Sequence, residues 1–125
     1  MKKVNDYITP IKESHSRTLR KYIEFIDYSK TIYKDLTSGV RGNELNQRLM
    51  SKNRVADELV ELSRETERAR KDYIAHNGDP EILRTLIDAF NHELNPLLAK
   101  IIVLENKTGD EMKRAGIKIV RHPEK

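Results

Sequence analysis

The sequence predicts an all-α fold, an antiparallel bundle of three long helices, and three observations carry that reading. Apolar residues recur at three- and four-residue spacing along most of the chain. Glycine-containing breaks at residues 39–42 and 77–78 divide the pattern into three stretches, and helix-start signals containing proline precede the first and the third. With 125 residues the chain reads as one domain, residues 1–125, large enough for one continuous core. Residues 1–8 and 117–125 lie outside the stripes and are expected to be less ordered.

The first helix is predicted to open at Thr9-Pro10, with Thr9 as N-cap and Pro10 at the first helical position, where a missing N–H costs nothing. Behind it Ile11, Leu19, Tyr22, Ile23, Ile26, Tyr33 and Leu36 share one face down to a stop at Thr37-Ser38-Gly39. Gly39 and Gly42 bracket the first turn, and Asn43 is the expected cap of the second helix. Leu45, Leu49, Val55, Ala56, Leu59, Leu62, Ala69 and Tyr73 continue the stripe to Asn77-Gly78, with a weak point near Ser51-Lys52-Asn53. The i,i+4 pairs Arg54/Glu58 and Glu67/Lys71 read as a solvated charge ladder on its outer face.

Asp79-Pro80-Glu81 combines a cap, a first-turn proline and an acid that complements the helix dipole, and so opens the third helix. Its stripe is Leu83, Leu86, Ile87, Phe90, Leu94, Leu97, Leu98, Ile101 and Leu104. Pro96 lacks an N–H and crowds the carbonyl four residues back, which predicts a kink and a restart capped by Asn95. Lys107-Thr108-Gly109 reads as the end of this helix. Residues 110–115 are then a short C-terminal helix stopped by Gly116, followed by an extended tail.

Composition narrows the chemistry. The absence of cysteine excludes disulfides, thiolate zinc sites and cysteine nucleophiles. The longest apolar run, residues 97–104, is broken by Lys100 and falls far short of the roughly 20 residues of a membrane span. No apolar run follows the basic start Met1-Lys2-Lys3, so the expected location is cytoplasmic, with no membrane partner. His15, His76, His92 and His122 titrate nearest neutrality, but none has metal-ligand spacing, and the glycines form no phosphate-cradling pattern. No metal and no cofactor are therefore expected.

The net charge of +4 is unevenly spread: residues 1–41 hold nine Lys/Arg against five Asp/Glu, and residues 79–106 hold two against five. Residues 107–125 return to six against three. Lys12, Arg17, Arg20 and Lys21, with Lys113, Arg114, Lys118 and Arg121, are the candidate nucleic-acid-binding residues, expected to meet on one side of the bundle and neutralise phosphates irrespective of base sequence.

Two short segments resemble known motifs. Arg70-Lys71-Asp72-Tyr73-Ile74-Ala75-His76-Asn77 resembles the motif of HEPN ribonucleases, in which an Arg is followed four to six residues later by a His, often in an Ile-Ala-His context. The resemblance implies metal-independent RNA cleavage across a dimer interface, with Arg70 stabilising phosphate charge and His76 helping to activate the ribose 2′-OH. Lys71 stands where that family carries a polar residue, and Asp72 follows one place later. Phe90-Asn91-His92-Glu93-Leu94-Asn95-Pro96-Leu97 resembles the phosphoacceptor box of sensor histidine kinases, with His92 as phosphoacceptor and the proline four residues on rather than five.

Long stripes with only two Phe and no Trp make a thin core that gains from further burial. The leading expectation is therefore a small non-enzymatic interaction or adaptor protein whose partner is another protein or itself. A HEPN-like ribonuclease using Arg70 and His76, and a nucleic-acid-binding accessory protein, are the alternatives.

Overall fold

A computed structural model describes residues 4–116. A 3-10 turn, Val4–Tyr7, leads into α1 (Ile8–Thr37), which is followed by α2 (Asn43–Ala75) and α3 (Pro80–Arg114). No strand occurs among the described residues, and none of the helices is long and apolar enough to cross a membrane. The C-terminal tail, including Lys118 and Arg121, lies outside the described residues.

The chain breaks fall where local chemistry puts them. The 3-10 turn carries the first helix back to Ile8, so Thr9 and Pro10 lie within the first turn of α1, where N–H groups have no intrahelical partner. Gly42, at φ 74° and ψ −140°, takes the cap position of α2, and Asn43 is the first helical residue. At the other end of α2, Asn77 adopts φ 65°, the Asn77 N–H donates to Ile74 O at 3.1 Å and the Gly78 N–H to Tyr73 O at 2.8 Å. This is the Schellman pattern that satisfies the last carbonyls of a helix. Asp79 then caps α3 as expected, its carboxylate accepting the Glu81 N–H at 2.9 Å, with Pro80 as first helical residue.

Neither weak point inside the helices breaks them. α2 is continuous through Ser51-Lys52-Asn53, and α3 runs through Pro96 and Gly109 to Arg114. Asn95 therefore caps no restart, and residues 110–114 belong to α3 rather than to a separate helix. Pro96 and His92 are both exposed, so the His92 carbonyl that loses its donor lies on the solvent side, while Leu94, Leu97 and Leu98 keep the flanking turns on the bundle. Gly109 costs about 1 kcal/mol in a helix interior. Thr108 and Met112 on either side are buried, Met112 among Ile32, Leu36 and Leu45, and their packing offsets that cost.

Paired residues define the register. Ser14 meets Thr66, Lys21 meets Glu58 and Asp35 meets Arg48, so α1 and α2 are antiparallel. His15 stacks on Phe90 and Ser29 donates to Glu105, so α1 and α3 are parallel. α1 packs along both neighbours, whereas α2 and α3 approach each other mainly through long side chains such as Lys52 with Glu105 and Arg70 with Phe90.

Two glycines make the packing testable. A Cβ at Gly78 would run into the ring of fully buried Tyr73, whose hydroxyl donates to Asp79 O at 3.1 Å, whereas a Cβ at Gly109 meets nothing within 4 Å. Gly78→Ala should lower unfolding free energy by about 1–3 kcal/mol through overpacking. Gly109→Ala should raise it by about 0.5–1 kcal/mol through helix propensity. Urea denaturation reads both, and shifts of the same sign would contradict this packing.

Candidate functional site

The three helices converge on one polar cluster. Residue spacing brings Ile11, His15, Thr18 and Tyr22 to one face of α1, which places His15 inside the bundle, 7% exposed. Beside it the Ser14 and Thr66 hydroxyls meet across α1 and α2, while the Thr18 Oγ1 donates to Ser14 O and the Thr66 Oγ1 to Leu62 O, each at 2.7 Å. One turn along α2, the Arg70 Nη2 donates to His15 Nε2 at 2.9 Å. The Phe90 ring from α3 closes the cluster, stacked on the His15 imidazole at 4.4 Å and lying 5.9 Å from the Arg70 guanidinium carbon.

Electrostatics assign the protons. Burial, reinforced by the Arg70 charge, pushes the His15 pKa down to about 4, so the ring is neutral and Nε2 accepts. Burial also lowers the Arg70 pKa, with nearby Glu67 acting in the opposite sense. Arg70 remains a cation, as guanidinium does in proteins. No carboxylate pairs with it among the described residues, and its buried Nε has no hydrogen-bond partner.

Arg70 also lines an open groove of about 460 Å³ between the C-terminal half of α2 and the start of α3. Ile74, Ala75, Leu83 and Ile87 make its apolar walls, and Glu67 and Lys71 stand with Arg70 as its charged groups. The groove exists because α2 and α3 do not pack closely.

The other sequence candidates are scattered. His76 is exposed at the end of α2, stacked on Tyr7 at 4.1 Å, with its Nδ1–H donating to Asp72 O at 2.8 Å. Six residues of helix put Arg70 and His76 about 120° apart around the axis. Accordingly, Arg70 turns inward to His15 and His76 outward to Tyr7. His92 is exposed on the outer side of α3. The six described basic candidates do not converge, because α3 runs parallel to α1: Met112 packs beside Ile32 and Leu36, which leaves Lys113 and Arg114 more than roughly 20 Å along the axis from Lys12, Arg17, Arg20 and Lys21, while Lys118 and Arg121 lie outside the described residues. Arg17 pairs with Glu65 at 3.2 Å, Lys21 with Glu58 and Glu24, and Arg114 with Glu111 at 2.8 Å. These pairs spend much of the charge that a phosphate backbone would need, and the two Glu58 and Glu24 hydrogen bonds raise the Lys21 pKa. Among the described residues no group of three or more His, Asp or Glu could hold a metal ion.

The His15 cluster predicts a pH dependence. The folded pKa of about 4 lies below the ordinary value of 6.5, so between these values the unfolded chain binds a proton that the folded chain refuses. Stability is full above that window and falls as pH drops through it, by up to about 3 kcal/mol. Exposed Lys12 and Glu93 line the depression beside His15. His15→Gln keeps an acceptor for Arg70 but does not titrate, so its denaturation midpoints should flatten across the window. Parallel curves for the two proteins would refute the assignment.

No protein-family model, curated protein or solved structure matches this chain.

Proposed function

We propose that this chain is a non-enzymatic interaction module that self-associates through α3. The observation that carries the reading is the mismatch between what α3 offers and what it buries. Of its stripe from Leu83 to Leu104 only Phe90 is fully buried and the other members are half-buried, while Ile102 and Val103 beside the stripe remain 61% and 52% exposed. Ala99, Ile102 and Val103, at i, i+3 and i+4, form one outward patch, and this patch continues past Leu104 into a depression beside Lys30 and Lys100.

Charge along α3 favours a second copy as the occupant. Asp79, Glu81, Asp88 and Glu93 outnumber Arg84 toward its start, while Lys100, Lys107, Lys113 and Arg114 outnumber Glu105, Asp110 and Glu111 toward its end. Two α3 helices crossing antiparallel about Ala99 bring the acidic half of each against the basic half of the other, in a self-complementary two-fold contact. Small Ala99 lets the backbones approach at the crossing. An interaction role is also preferred over RNA cleavage by Arg70 and His76 because the two side chains face different partners, Arg70 toward His15 and His76 toward Tyr7, and so share no cleft.

Sedimentation velocity across the micromolar range should show a concentration-dependent dimer. Ile102→Lys with Val103→Glu, both at exposed positions, should weaken it about ten-fold or more while leaving the unfolding midpoint unchanged. A wild-type monomer at every concentration, or a dimer indifferent to both substitutions, would rule out this interface.

A further inference from the structure

The groove between α2 and α3 lies apart from the outward patch of α3, and what it could bind does not depend on self-association. Its distinguishing feature is Arg70. A cation drawn partly out of water ordinarily has a carboxylate partner, because desolvation without one is costly. Arg70 instead makes one hydrogen bond among the described residues, to a neutral imidazole, and has a buried Nε with no partner. His15 and Phe90 stand behind the guanidinium and hold it, while the same side chain lines a groove walled by Ile74, Leu83 and Ile87. A pre-positioned cation at one point of an apolar trough is the arrangement that orients an amphiphilic anion.

We infer that this groove binds a small amphiphilic carboxylate, with its head group on Arg70 and its aliphatic chain along Ile74, Leu83 and Ile87. Planar guanidinium matches a carboxylate in two parallel hydrogen bonds, and an anion supplies the direct ion-pair contact that Arg70 lacks among the described residues, where Glu67 acts on it only at longer range. Glu67 lines the groove with Arg70 and Lys71, so the net positive charge of the three is one, which suits a single negative charge better than a dianionic phosphate. The volume of about 460 Å³ falls within the range of small-molecule sites and accommodates a medium-length chain.

The test is a titration of the full chain with decanoate below its micellar concentration, beside 1-decanol and decyl phosphate, followed by amide NMR and calorimetry. Decanoate should shift residues 67–75 and 83–87, and should bind at least about ten-fold tighter than 1-decanol, the difference a charge-assisted hydrogen bond supplies. Arg70→Met keeps the aliphatic bulk and removes the partnerless charge, so it should stay folded, lose that ten-fold preference and retain the weak binding of decanol. Ile74→Glu, at a position 45% exposed, should abolish decanoate binding by repulsion. The variant carrying Ile102→Lys and Val103→Glu should bind as wild type does, which separates this site from the self-association surface. Equal affinity for decanoate and decanol, tighter binding of decyl phosphate, unchanged affinity in Arg70→Met, or shifts centred on Ala99, Ile102 and Val103 would each overturn the inference.

Discussion

Among the described residues the extensive helix–helix packing all involves α1, and the rest of the structure follows from that. α1 lies between α2 and α3 and must bury two faces, but its inward residues include Ser14, His15, Thr18 and Ser29 as well as Ile11, Ile26, Ile32 and Leu36. A buried hydroxyl or imidazole left without a partner costs about 1–3 kcal/mol, so each polar residue restricts how the neighbouring helix can sit. Ser14 needs Thr66, His15 needs Arg70, and Ser29 needs Glu105, which in turn meets Lys52 of α2. Sliding α2 or α3 by one turn would strip several of these contacts together. Apolar packing alone, with small residues and few aromatics, would discriminate less sharply between registers.

The same geometry explains why α2 and α3 remain apart. They are joined by a tight turn closed through Asn77 and Gly78, so their linked ends are held near each other. Farther along, Lys52 meets Glu105 and Arg70 lies over Phe90, side chains long enough to reach without bringing the backbones together. An open groove and a half-exposed apolar helix are the consequences. A fold of this kind keeps surface in reserve, and the proposed self-association surface and the proposed carboxylate site would draw on that reserve without competing for the same residues.

Arg70 serves packing and, in the proposed groove site, would serve recognition as well. Its stem and guanidinium complete the polar cluster over Phe90, and the guanidinium donates to His15, whose imidazole is kept neutral by burial and further by the Arg70 charge. That neutral acceptor satisfies one donor but leaves the charge uncompensated. The resemblance of residues 70–77 to a ribonuclease motif draws attention to the same arginine through its spacing to His76, yet helical geometry sends these two side chains to different partners.

Features that depend on a few neighbouring residues could be read from the chain alone. The three helices, the glycine turn after Ser38, the stop at Asn77-Gly78 and the cap at Asp79 are set by backbone conformations and hydrogen bonds that form within about six residues. His15 stood out only as one of four titratable histidines; its spacing to Ile11 could have placed it on the buried side, but a lone histidine carries no sign of its partner. The continuity of α3 was decided elsewhere. Pro96 and Gly109 are local breakers, and only the exposure of the His92 turn and the burial of Thr108 and Met112 show why they do not end the helix. The dispersal of the basic residues was likewise a tertiary outcome: two tight turns make α1 and α3 parallel, so Lys12 and Lys113 lie at opposite ends of the bundle. Local sequence determined where helices begin and end, because those signals are short-range hydrogen bonds and torsions. Which side chains share a site was decided by tertiary structure, because His15, Arg70 and Phe90 are far apart along the chain and meet only once α1 is packed against both of its neighbours.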